Sequence, residues 1–183
     1  HNSYWHNDLN WSLGHIPLFS EEVVVPYVGT GIGPGIIDHN EQISSLEIEA
    51  ETEVAVYDQE LTVTGNIDIY GNLELNHASS EVDCRSNVYW RSGSTADVTD
   101  AGVIKVSGIW DFKSGANAQL DNGWVMFTGS NMGNIRSRDS NCHFNHVRID
   151  KFNATVYHSN LSTSPLHIHG NLFISIGADL QSL

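Results

Sequence analysis

Basic residues are scarce in this chain: 8 Lys and Arg stand against 22 Asp and Glu among 183 residues, a formal charge of −14. A nucleic-acid backbone or an anionic membrane is recognised through a positive face, so the balance argues against both as partners. Cysteine is nearly absent, at two residues, Cys84 and Cys142, and neither belongs to a Cys-x-x-Cys metal spacing. That pair leaves two readings, a disulfide formed in an oxidising compartment or two separate buried thiols. No apolar run approaches the roughly 18 residues of a membrane helix. The longest, such as Trp124-Val125-Met126-Phe127, stop after a few residues. A 3.6-residue apolar period is missing as well, which excludes a helical architecture. All four prolines, Pro17, Pro26, Pro34 and Pro165, lie outside the middle of the chain.

What the chain does contain is a series of short triplets, apolar–variable–apolar, separated by Gly, Asn, Ser and Asp. These are strand and turn signals. Leu46-Glu47-Ile48, Ile67-Asp68-Ile69, Val88-Tyr89-Trp90 and Ile109-Trp110-Asp111-Phe112 start 21 residues apart. A second series, Leu61-Thr62-Val63, Val82-Asp83-Cys84, Val103-Ile104-Lys105-Val106, Val125-Met126-Phe127 and Val147-Arg148-Ile149, advances by 21, 21, 22 and 22. A looser third series runs through Val54-Ala55-Val56, Leu73-Glu74-Leu75, Ala96-Asp97-Val98 and Ala118-Gln119-Leu120. Gly65-Asn66-Ile67-Asp68-Ile69 resembles Gly170-Asn171-Leu172-Phe173-Ile174 at an offset of 170 − 65 = 105 residues, five such periods.

A fixed period of this size predicts an all-β fold, a right-handed parallel β-helix with about 21 residues and three short strands per coil. A β-sandwich with irregular strands is the alternative. One coil is too small to bury its own apolar residues. Coils stacked about 4.8 Å apart merge them into one core and turn the middle residue of each triplet outward. Residues 46–183 hold room for roughly six coils.

Solenoid ends need covering, because an open end offers unpaired backbone to another chain. Residues 1–45 are expected to form that cap, through Trp5, Trp11, Leu13, Ile16, Leu18 and Phe19, then Val23-Val24-Val25-Pro26 and a Gly-rich turn from Gly29 to Gly35. A sugar site built from Trp5 and Trp11 is the competing use of the same rings. The closing stretch, Gly177 to Leu183, reads as a strand pattern, so further protein is expected to follow it.

The segment Trp5…Asn10-Trp11-Ser12…Gly14…Pro17…Val23-Val24-Val25-Pro26 resembles the opening of large secreted proteins of Bacteroidetes and related bacteria, in which it precedes a solenoid. Leu61-Thr62-Val63-Thr64-Gly65-Asn66, Val125-Met126-Phe127-Thr128-Gly129 and Phe144-Asn145-His146-Val147-Arg148-Ile149 are similar to later pieces of them. The resemblance implies export, and a surface, adhesive or filament-forming module. It brings no catalytic residues.

Three residue sets are candidates for chemistry. In the best-spaced series Glu47, Asp68, Tyr89 and Trp110 are expected to face outward, with Tyr70 and Arg91 beside them. Exposed rings stack on sugar faces and charged groups bind hydroxyls, so Tyr70, Tyr89, Trp110, Asp68 and Arg91 form the expected ligand surface. Glu47, Glu49, Glu51 and Glu53 alternate along a strand and would share one face, which could hold Ca²⁺. A solvated edge that repels other sheets is the plainer use of that run. Asp97, Asp100 and Asp121 read as turn formers. His167 and His169, with His143 and His146 earlier, could pair at a metal, although no third ligand is marked.

Solenoid enzymes of the pectin-lyase type gather Asp, Arg or Lys on one sheet face. In the middle coils Arg85, Arg91, Lys105 and Lys113 show no such cluster. The expected function is therefore a non-catalytic structural or adhesive solenoid, secreted or on a cell surface. Its expected partners are a polysaccharide or cell-surface glycan, or another copy stacked end to end. A polysaccharide-active lyase or glycoside hydrolase is the alternative.

Overall fold

The structure, a computed structural model, describes residues 4–27, 35–98, 102–159 and 161–182. The short alternating triplets form strands, and every paired strand among the described residues runs parallel to its neighbours. They assemble three sheets. The long sheet stacks Glu22–Val25, Ser45–Ile48, Ile67–Ile69, Val88–Trp90, Ile109–Phe112, Gly133–Ser137, Thr155–His158 and Asp179–Ser182. The middle sheet stacks Glu41–Ile43, Glu60–Val63, Glu81–Cys84, Val103–Val106, Gln119–Phe127, His143–Ile149 and Leu172–Ile174. The short sheet holds Ile36–Ile37, Glu53–Val56, Asn72–Leu75 and Thr95–Val98. In the first coils the chain visits long, short and middle sheets in turn. The result is a β-solenoid of about seven turns of roughly 22 residues.

Inward residues of all three sheets meet in one core that runs from Trp5 to Val156. Its middle part is aromatic: Trp110 lies 5.6 Å from Trp90, 5.6 Å from Phe112 and 5.3 Å from Phe144, centroid to centroid. Corners are tied by side chains as well as backbone. Asn87 donates to Asn66 Oδ1 at 2.9 Å and accepts from the Ile109 amide at 2.8 Å. At the Gly71 corner a Cβ would stand 2.2 Å from the Thr52 carbonyl oxygen, so only glycine lets the two coils approach.

Several expectations change in detail. Repeating coils begin at Glu22, whose strand pairs with Ser45–Ile48, so the cap is shorter than residues 1–45. Trp5 is fully buried and Trp11 packs on it edge to face at 4.7 Å, donating its indole N–H to the Trp5 carbonyl at 2.8 Å. A buried Trp5 has no face left for a sugar. Leu13, Leu18 and Phe19 are exposed and take no part in the cover. The turn residues Gly29 to Pro34 and Asp100 lie outside the described residues.

The three-sided coil gives way further on. Ala118-Gln119-Leu120 runs into the strand Gln119–Phe127, which joins the middle sheet with a register shift between Leu120 and Trp124. The two Gly-Asn segments are not equivalent either, since Ile67–Ile69 belongs to the long sheet and Leu172–Ile174 to the middle one. Asp97 and Asp121 sit in strands, not turns. Cys84 and Cys142 are separate buried thiols, and burial pushes them up to about 12 and about 11.

Candidate functional site

The residues expected to form a ligand surface lie on the long sheet, with one register correction. Val88 pairs with Trp110 and Tyr89 with Asp111, a step of 22 residues rather than 21. Trp110 therefore points inward, where it is fully buried in the aromatic core, and Asp111 takes the outward site. The next step, Asp111 to Arg136, is 25 residues. The outward row thus reads Glu47, Asp68, Tyr89, Asp111, Arg136 across successive strands. Beside it, two residues further along each chain segment, lie Tyr70, Arg91, Lys113 and Arg138. The row from Asp68 to Arg136 crosses three inter-strand spacings, about 14 Å.

These side chains form one connected group. Arg91 Nε donates to Asp68 Oδ1 at 2.7 Å. Its guanidinium carbon stands 4.9 Å from the Tyr89 ring centre and 5.8 Å from that of Tyr70. Lys113 Nζ lies 5.5 Å from the Tyr89 ring centre and 2.7 Å from Asp111 Oδ2. All three ring contacts fall in the cation–π range. Arg136 Nη1 approaches Asp111 Oδ2 to 3.6 Å and Arg138 Nε approaches Asp111 Oδ1 to 3.4 Å. One fully buried carboxylate is therefore ringed by three cations.

That ring is over-supplied with positive charge. Four of the chain's 8 basic residues, Arg91, Lys113, Arg136 and Arg138, gather here against two carboxylates, Asp68 and Asp111. Arg136 Nε, Arg138 Nε and Asp111 Oδ1 are shielded from solvent yet make no hydrogen bond. The tyrosines supply adjacent ring faces, with Tyr70 38% exposed. A sheet face with surplus guanidinium donors next to phenol rings is equipped to hold an anionic group on a ring-shaped ligand. Of the expected ligand residues, then, Tyr70, Tyr89, Asp68 and Arg91 come together and Trp110 does not. Asp111, Arg136 and Arg138 were missed, as was the cluster Lys113 belongs to.

The glutamate run does not share a face. Glu47 lies on the long sheet and Glu53 begins the short one, with Glu51 in the left-handed corner between them at φ 62°. Glu49 accepts the Tyr27 amide at 3.1 Å and Glu53 accepts from Asn72 at 3.0 Å. The corner removes the common strand face on which the Ca²⁺ expectation rested. The later histidines divide. His143 and His169 stack at 4.0 Å with Asp121 2.7 Å from His143, while His146 stacks on Trp124 at 4.6 Å. Comparison with protein-family models, curated proteins and solved structures finds no match.

Proposed function

We propose that this chain is a non-catalytic solenoid module of a secreted or surface protein, and that its long sheet binds an anionic polysaccharide. The observation that carries the reading is the surplus of cations around Asp111 beside Tyr89 and Tyr70. Carboxylate or sulfate groups of a glycan would take the exposed edges of the Arg136 and Arg138 guanidinium groups, whose side chains are 24% and 31% exposed, as charge-assisted bonds. The sugar rings would lie on the tyrosines. The cluster runs across successive coils along the axis, an elongated surface that suits a polymer. The bacterial surface setting rests on the motif resemblance alone.

One observation favours a second reading. Asp, Lys and Arg clustered on one sheet face are the materials of a solenoid lyase, so Asp111, Lys113, Arg136 and Arg138 also suit an enzyme acting on uronate polymers. Co-sedimentation with neutral, uronate-containing and sulfated polysaccharides, with released sugar assayed in the supernatant, separates the two. Retention on acidic glycans without product is expected, and Arg138→Ala should weaken it about tenfold or more, the loss of one charged hydrogen bond. Released unsaturated uronate would overturn the binding reading in favour of the enzyme. Equal retention on DNA would reduce it to unspecific charge capture, and no retention would leave a spacer or filament as the better account.

A further inference from the structure

A second cluster lies at the N-terminal end, where the cap meets the first coil. His6 follows Trp5, whose amide donates to the Ile36 carbonyl at 2.9 Å and so fixes the cap segment against the short sheet. Asp38 and His39 occupy the corner between Ile36–Ile37 and Glu41–Ile43. Asp38 Oδ1 stands 3.5 Å from His6 Nδ1 and 3.4 Å from His39 Nδ1. One ligand atom from each of the three residues lies within 4.8 Å of the other two.

These separations have a chemical meaning. Nitrogen and oxygen donors held about 2.1 Å from a tetrahedral zinc ion are about 3.4 Å apart along each edge. The two Asp38–imidazole distances match that edge. The other nitrogen of His6 faces a carboxylate, the usual neighbour of a metal-ligating imidazole: Nε2 lies 3.0 Å from Glu41 Oε1, within ion-pair reach but not aligned for a hydrogen bond, and the Glu41 side chain is only 9% exposed. Neither Asp38 Oδ1 nor Glu41 Oε1, both shielded from solvent, receives a hydrogen bond. The two imidazoles are borderline donors, and with them in the majority beside one carboxylate the set prefers zinc-type ions to calcium or magnesium.

We propose that His6, Asp38 and His39 bind a divalent transition-metal ion of the zinc class, with Glu41 orienting His6, and that this ion staples the cap over the first coil. One ligand comes from the cap and two from the coil, so occupancy restrains the segment carrying Trp5, the residue that closes the core.

The test is calorimetric titration of Zn²⁺ into the chelator-treated chain in excess Ca²⁺ and Mg²⁺, beside His39→Ala, Glu41→Gln and His143→Ala. The His39 side chain is 63% exposed, so its removal leaves the fold intact. Zinc binding is expected in the wild type and in His143→Ala. It should be lost in His39→Ala and weakened about 10- to 100-fold in Glu41→Gln. Amide exchange around Trp5 and Ile36 should slow on adding zinc to the wild type and not to His39→Ala. Absence of zinc binding, binding unchanged by His39→Ala, or binding lost only in His143→Ala would each overturn the assignment.

Discussion

Replacing Asp111 by Asn tests whether the cation ring is held by a buried charge or merely decorated by one. Asp111 is fully buried, whereas the Lys113, Arg136 and Arg138 side chains are 26%, 24% and 31% exposed. Removing one partner of a buried pair costs about 3–5 kcal/mol, because the remaining charge is left uncompensated. Here the remaining charges can turn partly into water, which sets the expected loss at the low end, about 3 kcal/mol. For a chain of this size that is a drop in thermal midpoint of about 6–12 °C. The drop should persist in about 1 M NaCl, where exposed pairs beyond about 3 Å are screened but a dry carboxylate is not. In a double-mutant cycle with Lys113→Met, the two losses should fall short of additivity by about 0.5–3 kcal/mol. A midpoint change under about 2 °C, or one abolished by salt, would refute the reasoning. It would mean that the group behaves as exposed bridges worth at most about 1 kcal/mol.

Trp110→Ala should cost about 3–5 kcal/mol in urea unfolding, since it empties the centre of the aromatic core. Tyr89→Ala, one ladder step away but outward, should cost under about 1 kcal/mol, the cation–π contacts alone, while weakening glycan retention. Lys151 is buried, its ammonium donates to the Ser107, Thr128 and Asn131 carbonyls at 2.8, 2.7 and 2.8 Å, and burial pulls it down to about 8. Lys151→Met should lose about 3 kcal/mol through the orphaned carbonyls. Because the unfolded chain keeps this proton up to about pH 10.4, wild-type stability relative to the variant should rise from about pH 8 to about pH 10.4. Burial, the Glu53 side chain and the Glu53 and Asp97 charges push Glu74 up to about 7. The folded state thus holds more protons than the unfolded one between about pH 4.3 and pH 7, so stability falls as pH rises through that range. Glu74→Gln should remove the fall and gain up to about 1 kcal/mol at pH 8, measured as midpoint against pH.

The solenoid was legible because its physics is periodic: inward Val, Ile and Leu recur wherever a coil returns, and the triplets beginning at Leu46, Ile67 and Val88 pair as their spacing predicts. What the spacing hid is the insertion of a residue at a corner. Ile109-Trp110-Asp111-Phe112 keeps the 21-residue start, yet Val88 stacks on Trp110. A count cannot say whether an added residue precedes a triplet or lies within it. Parity could have: Trp110 and Phe112 alternate about Asp111 as Val88 and Trp90 do about Tyr89. Arg136 and Arg138 gave no such cue, since Asn134-Ile135-Arg136-Ser137 has a single apolar residue and its partner strand lies 25 residues back. His6 and Asp38 are brought together by the cap folding over a corner, a contact that has no period at all. Local pattern reports which residues face inward. It does not report which coil each outward residue finally adjoins, and the cation cluster is made of that second kind of fact.

The same distinction resolves an apparent conflict between the chain's charge and its proposed ligand. A net charge of −14 repels a polyanion at long range, but the field that reaches a bound group is local. At about 0.01 M ionic strength charges act over about 30 Å, far enough for the acidic remainder of the molecule to oppose approach. At about 0.15 M the range contracts to about 8 Å, less than the roughly 14 Å from Asp68 to Arg136, and the four cations govern. At about 1 M their own contacts weaken as well. Retention of an acidic glycan on this sheet must therefore be strongest at intermediate ionic strength, whereas a site on a molecule without the opposing acidic remainder would weaken steadily from the lowest salt upward. Scarcity of basic residues in the composition and their concentration on one face are thus compatible, because the first sets the long-range field and the second sets the contact.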